Sequence, residues 1–341
     1  MKVIKFFAIT AMTAAMITSC SSEDELSQSN YPSDNIVRVT AGVNNAKTRA
    51  EGTGVTAMEK PFSLTIVNRN TESTELAKKY TYVDKVFSKS SSGDWTCSET
   101  LLWQKATTPV DIVAFAPAQD GKFSGVYADG SIKPITYSIA TDQSTKSDNN
   151  DLLYYYAPGF NPGEGLVDKK LNIQFNHAFC MIDINVTLGT EFNKPSIPTA
   201  SPITEVILEG TKIEANVDVK NAAGSTTTTA ASVVTASNTA TAAKITTTKG
   251  TFDKAANAEA NAISHFSCIT VPQNVAAKTF KVSLKTAGKL YEWTSEAAVE
   301  LKSGYRYTLN LSMGNDVVLL KGGSISASPW GNGTGGSLET D

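Results

Sequence analysis

Cys20 is the residue whose chemistry can be read most directly from the sequence. It ends the tetrapeptide Ile17-Thr18-Ser19-Cys20, which follows two early lysines and a short apolar stretch from Phe6 to Ile17. The apolar stretch is too short to span a bilayer, so the arrangement predicts a signal peptide over residues 1–19. The tetrapeptide matches the bacterial lipoprotein box, in which the cysteine receives a diacylglyceryl group and becomes the new N-terminus. The alternative is a secreted protein with a chance cysteine at its cleavage site.

Arg49 is the second candidate, as a site of proteolytic processing. It lies in Lys47-Thr48-Arg49-Ala50, just past an alternating stretch from Ile36 to Val43 that predicts a strand with one buried face. Cleavage between Arg49 and Ala50 would detach the lipid and this strand together. A Gly- and Thr-rich stretch follows, and such segments are open to proteases. The alternative is an ordinary loop arginine.

The other cysteines and the histidines predict structural roles. Cys97, Cys180 and Cys268 match no metal-ligand spacing, and both one disulfide with an odd thiol and three isolated buried thiols remain open. His177 lies on the apolar side of its strand, and no second histidine is near it or His265, so we expect no metal site. The sequence contains no nucleophile elbow, phosphate loop or paired-carboxylate motif. We therefore expect neither an enzyme nor a bound cofactor.

Composition narrows the class of protein. The chain has 341 residues, which is enough for two domains of ordinary size, and its net charge is -3. So small a charge argues against a nucleic-acid partner. Charged residues make up only 18% of the chain, while Thr, Ser, Ala, Asn and Gly are abundant. This composition is typical of a β-rich exported protein rather than of a helical cytosolic enzyme.

The apolar pattern predicts an all-β fold built from β-sandwiches, because many short strands recur without a long helical period. Val110 to Ala116 is almost entirely apolar, which predicts a strand buried on both faces. From Leu171 to Leu188 the apolar positions change from odd to even numbers, which requires a bulge or a strand that passes from one core to another. We place a domain boundary there. Asn221 to Lys249 is rich in Thr, Ala and Ser and predicts a long hairpin or a surface excursion rather than a core element.

The order of several short patterns resembles the fimbrillin family, the type V pilins that gram-negative bacteria export as lipoproteins. The most specific pattern is Phe175-Asn176-His177-Ala178-Phe179, which runs into the apolar series from Ile182 to Leu188. The others, which together cover most of the chain, are the box at Cys20, Thr48-Arg49-Ala50, Val110 to Pro117, Asp151-Leu152-Leu153-Tyr154, Tyr305 to Leu311, Val317 to Leu320 and Ser324 to Trp330.

The resemblance implies two transthyretin-like Greek-key β-sandwich domains in tandem. It divides the chain into the signal peptide (1–19), a lipidated propeptide with the first strand (20–49), an N-terminal β-sandwich (50–175) and a C-terminal β-sandwich (176–341). It also implies a route of assembly. An arginine-specific protease removes the first strand, and a strand from a neighbouring subunit enters the vacated groove, which is donor-strand addition.

The donor strand is expected within residues 317–330. A donor must be extended, apolar at alternate positions and free to leave its own domain. The candidate residues are Val317, Val318, Leu319, Leu320, Ile325 and Ala327. Gly322 and Gly323 would form a hinge between the two pieces. The alternative is that both pieces close the second sandwich as its last hairpin.

Two functions follow as hypotheses. The first is a structural, adhesive subunit of a cell-surface pilus, the fimbrium of a gram-negative bacterium, whose role as stalk, tip or anchor stays open. Its partners would be other pilin subunits, in a homopolymer or as accessory, anchor and tip subunits, the outer membrane through the lipid before processing, and a host or bacterial surface receptor. The second is a monomeric surface lipoprotein that binds glycans through a sandwich face. Its candidates for sugar stacking, which could equally pack in the core, are Trp95, Trp103, Trp293 and Trp330.

Overall fold

The computed structural model describes residues 30–44, 58–147, 150–222, 232–314, 317–320, 325–330 and 336–337. Strands dominate these residues, and the all-β prediction is confirmed. Two short α-helices occur, α1 (Thr74–Lys79) and α2 (Pro162–Gly165). Within the described ranges, no helix has the length and apolarity needed to cross a membrane.

The first sheet has seven strands, numbered along the chain, in the order β1-β10-β9-β5-β2-β3-β4. It places the first strand of the chain at one edge, beside a strand that lies 132 residues later (Val39 against Leu171). The strands are β1 (Val39–Val43), β2 (Phe62–Asn68), β3 (Tyr82–Lys89), β4 (Trp95–Cys97), β5 (Val110–Ala116), β9 (Leu153–Phe160) and β10 (Leu171–His177).

The second sheet is built around the long central strand β22. Its path is β16-β17-β11-β22-β24-β25, and β23 also pairs with β22. The strands are β11 (Cys180–Leu188), β16 (Thr248–Asp253), β17 (Ala262–Thr270), β22 (Tyr305–Met313), β23 (Val318–Leu320), β24 (Ser326–Pro329) and β25 (Gly336–Ser337).

Smaller sheets complete the fold. A four-stranded sheet has the order β15-β12-β19-β20, a three-stranded sheet the order β14-β13-β8, and two pairs are β18-β21 and β6-β7. The strands are β6 (Tyr127–Ala128), β7 (Ser131–Ile132), β8 (Ile135–Ser138), β12 (Ile203–Lys212), β13 (Glu214–Val217), β14 (Val234–Ala236), β15 (Ala242–Thr246), β18 (Gln273–Val275), β19 (Lys281–Thr286), β20 (Leu290–Thr294) and β21 (Val299–Leu301).

Two hydrophobic cores lie on opposite faces of the first sheet. The first core holds Phe62, Leu64 and Ile112 from one face, together with residues of β1 and β10. The opposite face contributes Val113 and Phe115 to the second core. All seven residues of β5 are buried, as its apolar sequence predicts, because both of its faces are covered.

The strand β2 is also buried along its whole length, although its sequence alternates between apolar and polar residues. The hydroxyl groups on its polar face form hydrogen bonds with Asp84. Ser63 Oγ donates to the Asp84 carboxylate at 2.5 Å, and the Asp84 backbone N–H donates to Thr65 Oγ1 at 3.0 Å. Buried hydroxyls are tolerated when they are hydrogen-bonded in this way.

The phase change between Leu171 and Leu188 coincides with a passage between the two cores. Leu171, Ile173 and Phe175 of β10 pack in the first core, whereas β11 contributes Ile182 and Ile184 to the second. The chain leaves the first sheet after His177 and enters the second at Cys180. The division into domains 50–175 and 176–341, and their transthyretin-like Greek-key topology, stay predictions.

The stretch from Asn221 to Lys249 corrects the expectation of a surface excursion. Its described part forms β14 and β15 and begins β16. Val234 is 2% exposed and Ile245 is fully buried, both in the second core. Thr is a good strand residue, and one large apolar side chain per short strand is enough to anchor it, so the low-complexity composition concealed these strands.

Candidate functional site

The first strand occupies a slot between two separate stretches of main chain. Its leading end pairs with residues 101–103: the Val37 N–H donates to the Leu101 carbonyl at 2.9 Å, and the Trp103 N–H donates to the Asn35 carbonyl at 2.8 Å. Its remainder runs parallel to β10, from Val39 opposite Leu171 to Val43 opposite Phe175. The strand therefore satisfies edge groups on both of its neighbours.

The side chains of this strand alternate as the sequence predicts. Val37 is 6% exposed and Val39 is 4% exposed, both in the first core, and Ala41 and Val43 pack against that core. Thr40 on the opposite face is exposed, and its hydroxyl donates to Asn172 Oδ1 at 3.2 Å. The strand is thus part of the hydrophobic core as well as of the sheet.

The strand β10 depends on the first strand for most of its pairing. Its ladder with β1 has five residue pairs, from Leu171 to Phe175. Its ladder with β9 has only two, Asn176 with Tyr154 and His177 with Leu153. Removal of β1 would therefore leave most of β10 without a ladder partner among the described strands.

An ion pair holds the entrance of the strand. The terminal nitrogens Nη1 and Nη2 of Arg38 donate to the carboxylate of Asp34, at 2.9 and 2.5 Å, and the Ile36 backbone N–H donates to the same carboxylate at 3.1 Å. These donors, the guanidinium first, hold the pKa of Asp34 well below its usual range. Next to this entrance, a groove of about 460 Å³ separates the first strand from β4 and is lined by Trp95, Cys97 and Lys170 among others.

We expect the seating of the first strand to weaken in acid. Because the folded pKa of Asp34 is depressed, its stabilising contribution is present above the unfolded value of about 3.9 and is lost as the pH falls below that value toward the folded pKa. Hydrogen exchange at Ile36 and Val37 between pH 5 and pH 3 should report a larger loss of protection in the native chain than in Asp34→Asn. If protection from exchange depended on pH equally in the two chains, the Asp34 carboxylate would not be the group that stabilises the strand in its slot.

The donor candidates lie along the edge of β22 that faces away from β11. β23 pairs with residues 311–313 and β24 with residues 305–308, both antiparallel, so the two strands share one edge. Between the two ladders, Leu309 and Asn310 of β22 have no residue partner in β23 or β24. Val317 is exposed, whereas Ile325 is 7% exposed and Ala327 packs against the second core. In this state both pieces are docked in their own sheet.

His177 and Trp330 form a contact that the sequence patterns did not reveal. Their rings stack with centroids 3.9 Å apart and an interplanar angle of 5°. His177 Nδ1 hydrogen-bonds Asp151 Oδ1 at 2.9 Å, which agrees with the expected structural role of this histidine. The only signal in the sequence was that His177, Asp151 and Trp330 each fall within a pattern of the resemblance. Trp103 and Trp330 are each 2% exposed, so neither offers a face for sugar stacking.

The remaining site predictions have separate outcomes. Cys20, Arg49 and Ala50 lie outside the described residues. Cys97, Cys180 and Cys268 are free thiols, and burial, followed by the nearby Cys268, raises the pKa of Cys180. In the described part of the chain, no three His, Cys, Asp or Glu side chains cluster in a way that could hold a metal ion.

Comparisons with known proteins agree with this fold. A family profile described as Fimbrillin-like matches residues 48–330. A crystal structure of a candidate cell adhesion protein from Bacteroides ovatus ATCC 8483 aligns with a TM-score of 0.59 and 16% identity, over 86% of this chain and 97% of that one. Another, from Bacteroides uniformis ATCC 8492, aligns with a TM-score of 0.54 and 15% identity, over 88% and 99%.

A fimbrial protein from Bacteroides vulgatus ATCC 8482 aligns with a TM-score of 0.51 and 13% identity, over 86% of this chain and 99% of that one. A search of curated proteins found no match. At these identities the structures establish the fold, while the profile covers more than half of the chain. The chain therefore belongs to the fimbrillin-like family.

Proposed function

We propose that this chain is a structural subunit of a cell-surface pilus, exported as a lipoprotein to the outer membrane of a gram-negative bacterium and polymerised by donor-strand exchange. Its partners are other pilin subunits, and the assembled pilus serves adhesion. The observation that carries this proposal is how the first strand is bound. Main-chain hydrogen bonds hold it in its slot on both sides, and it contributes Val37 and Val39 to the core.

The position of Arg49 supports removal of this strand. It follows Asn44, the last described residue of this segment, by five positions, so cleavage there releases the strand and the lipid at Cys20 in one step. The new N-terminus would be Ala50. A chain that keeps Cys20 and the strand would instead stay attached to the membrane, which is the behaviour of an anchor.

The emptied slot would be energetically unfavourable. Each buried main-chain group left without a partner costs about 1–3 kcal/mol, and apolar surface returned to water costs roughly 25 cal/mol per Å². The edges of β10 and of residues 101–103 would both lose partners, and the first core would be opened to water. An added extended strand would pair the main-chain groups again and cover the apolar surface, which is the physical basis of β-strand addition.

The strands β23 and β24 are the donor candidates, and their short ladders support this role. β23 has three residue pairs with β22 and β24 has four, and β24 has two more with the two-residue strand β25. The central strand β11 has nine pairs with β17 and eight with β22. A strand with few pairs opens more easily than a central strand with many.

The processing site can be tested by sequencing the N-terminus of assembled surface material. We expect it to begin at Ala50. Arg49→Ala should leave the precursor folded, because its own strand still fills the slot, and should prevent its incorporation into polymers. Lys47→Ala, two residues away, is the matched control and should assemble normally. Polymers that begin at Cys20 would rule out cleavage here and indicate an anchor.

Lipidation can be tested separately. Cys20→Ala should abolish incorporation of a fatty-acid analogue and release the precursor from the membrane fraction, because buried acyl chains contribute about 0.8 kcal/mol per methylene. Cys97→Ala is the matched control and should label like the native chain. A Cys20→Ala chain that still labels and still sediments with membranes would contradict the lipid assignment.

A further inference from the structure

The end of the strand β24 and the end of the first strand meet at one cavity. The cavity has a volume of about 310 Å³, and its lining includes Asn44 on one side and Pro329 and Trp330 on the other, with His177 between them. The Asn44 N–H donates to the Phe175 carbonyl at 2.7 Å, and Asn44 Nδ2 donates to Asn176 Oδ1 at 3.0 Å. The last bonds of the first strand therefore fall on the residues just before His177.

Trp330 is seated firmly at this cavity. It is 2% exposed, its ring stacks on the imidazole of His177, and its backbone N–H donates to the Gly304 carbonyl at 2.7 Å. Stacked aromatic pairs contribute beyond the area that they bury. Trp330 follows β24 directly, so this seat fixes the end of the candidate donor strand.

The seat itself is built on β10. His177 is the last residue of that strand, and its side chain is 9% exposed. Asp151 orients the ring through Nδ1, and Ser303 Oγ donates to the carbonyls of His177 and Ala178 at 3.0 and 2.8 Å. The seat can hold its geometry only while the end of β10 holds its position.

We propose that the Trp330–His177 stack is a latch that keeps the C-terminal strand β24 in its own subunit until the first strand leaves. This inference rests on the proposed strand exchange and adds its order. β1 pairs with residues 171–175 of β10, and Asn44 bonds Phe175 and Asn176, whereas His177 itself pairs with Leu153 of β9. Departure of β1 therefore removes the support of β10 up to the residue before His177 and leaves the seat of Trp330 on a ladder of two residue pairs with β9. The two strands are thereby coupled: a subunit offers its donor only after its own slot is emptied.

Hydrogen exchange of the full-length, monomeric precursor tests the latch. Trp330→Ala should speed exchange in β24 by about tenfold or more while β10 stays protected, since local opening is governed by local contacts. Trp330→Phe keeps a stacking ring and should show a smaller change. Ile325→Val, a loss of packing in the same segment away from His177, is the matched control. A control effect equal to that of Trp330→Ala would overturn the latch.

The coupling has its own test. Val39→Asp, which unseats the first strand, should speed exchange in β24 as well as in β10, and its effect on β24 should not add to that of Trp330→Ala, because both open the same contact. Thr40→Asp, on the exposed face, should leave β24 protected. Loss of protection in β10 with β24 unchanged would overturn the coupling. Should Trp330→Ala fail to fold, His177→Gln removes the seat instead, and native protection of β24 in that chain would overturn the latch.

These hydrogen-exchange measurements use the monomeric precursor and do not require a polymer. A chain that polymerises by strand exchange without the coupling would overturn the latch and leave the proposed function intact. A coupled chain that never polymerises would overturn the proposed function and leave the conformational link in place.

Discussion

Val39→Asp is expected to lower the free energy of unfolding of the precursor by about 3–5 kcal/mol, the cost typical of an uncompensated buried charge. Val39 is 4% exposed and packs among the hydrophobic side chains of the first core. The substitution also removes apolar contacts at the point where the strand begins its ladder with β10. Urea denaturation of the full-length precursor measures the change.

Thr40→Asp is the matched control for that experiment. It introduces the same charge one residue later, on the exposed face of the same strand, and should change the free energy of unfolding by less than about 0.5 kcal/mol. Equal destabilisation by the two substitutions would mean that the first strand does not present Val39 to the core. A small effect of Val39→Asp would mean that the slot contributes little to the stability of the precursor.

A disulfide between β22 and β24 is expected to abolish polymerisation and to leave the monomer folded. Thr308 and Ser326 are direct cross-strand partners, and both side chains are half-buried on the outer face of the second sheet. Cysteines at these two positions, in a Cys97→Ser background, should cross-link because opposed residues of an antiparallel pair have Cα atoms about 4.5–5.5 Å apart, within the range that a disulfide bridges. A strand locked in this way cannot enter a neighbouring subunit.

Reduction should restore assembly, so each preparation serves as its own reference on a denaturation-sensitive gel ladder. The matched control is a cysteine pair at Thr187 and Ile263, which are partners on β11 and β17 in the same sheet. That pair should form a disulfide and still permit polymerisation, because neither strand has to move. Normal polymers from the oxidised Thr308–Ser326 chain would place the donor outside β24.

The sequence predicted the elements of the site better than their partners. The alternation of Val37, Val39 and Ala41 was sufficient to identify the first strand and its buried face, since side-chain direction in a strand is local. Its parallel pairing with Leu171 to Phe175 could not be predicted, because register between segments so far apart depends on tertiary packing. The sequence likewise identified extended C-terminal segments without indicating that they dock on β22.

Two other elements differ from their patterns for a related reason. Ser63 and Thr65 are the polar residues of the alternating strand β2, yet the second core lies over that side of the sheet and Asp84 hydrogen-bonds both hydroxyl groups. Ile245 is the large apolar residue of β15 in a Thr- and Ala-rich region, and it is fully buried. In both cases the residue is buried because a distant part of the chain packs over it, which the local sequence cannot indicate.

The slot has a mechanical consequence for the proposed fibre. A strand held there is flanked by β10 on one side and by residues 101–103 on the other, with main-chain hydrogen bonds that run across to these neighbours rather than along its length. Tension that pulls such a strand along its own axis loads these bonds in shear, so they must fail together rather than one after another. A pilus joined in this way would resist the drag of flowing liquid far better than the same number of bonds arranged to peel apart.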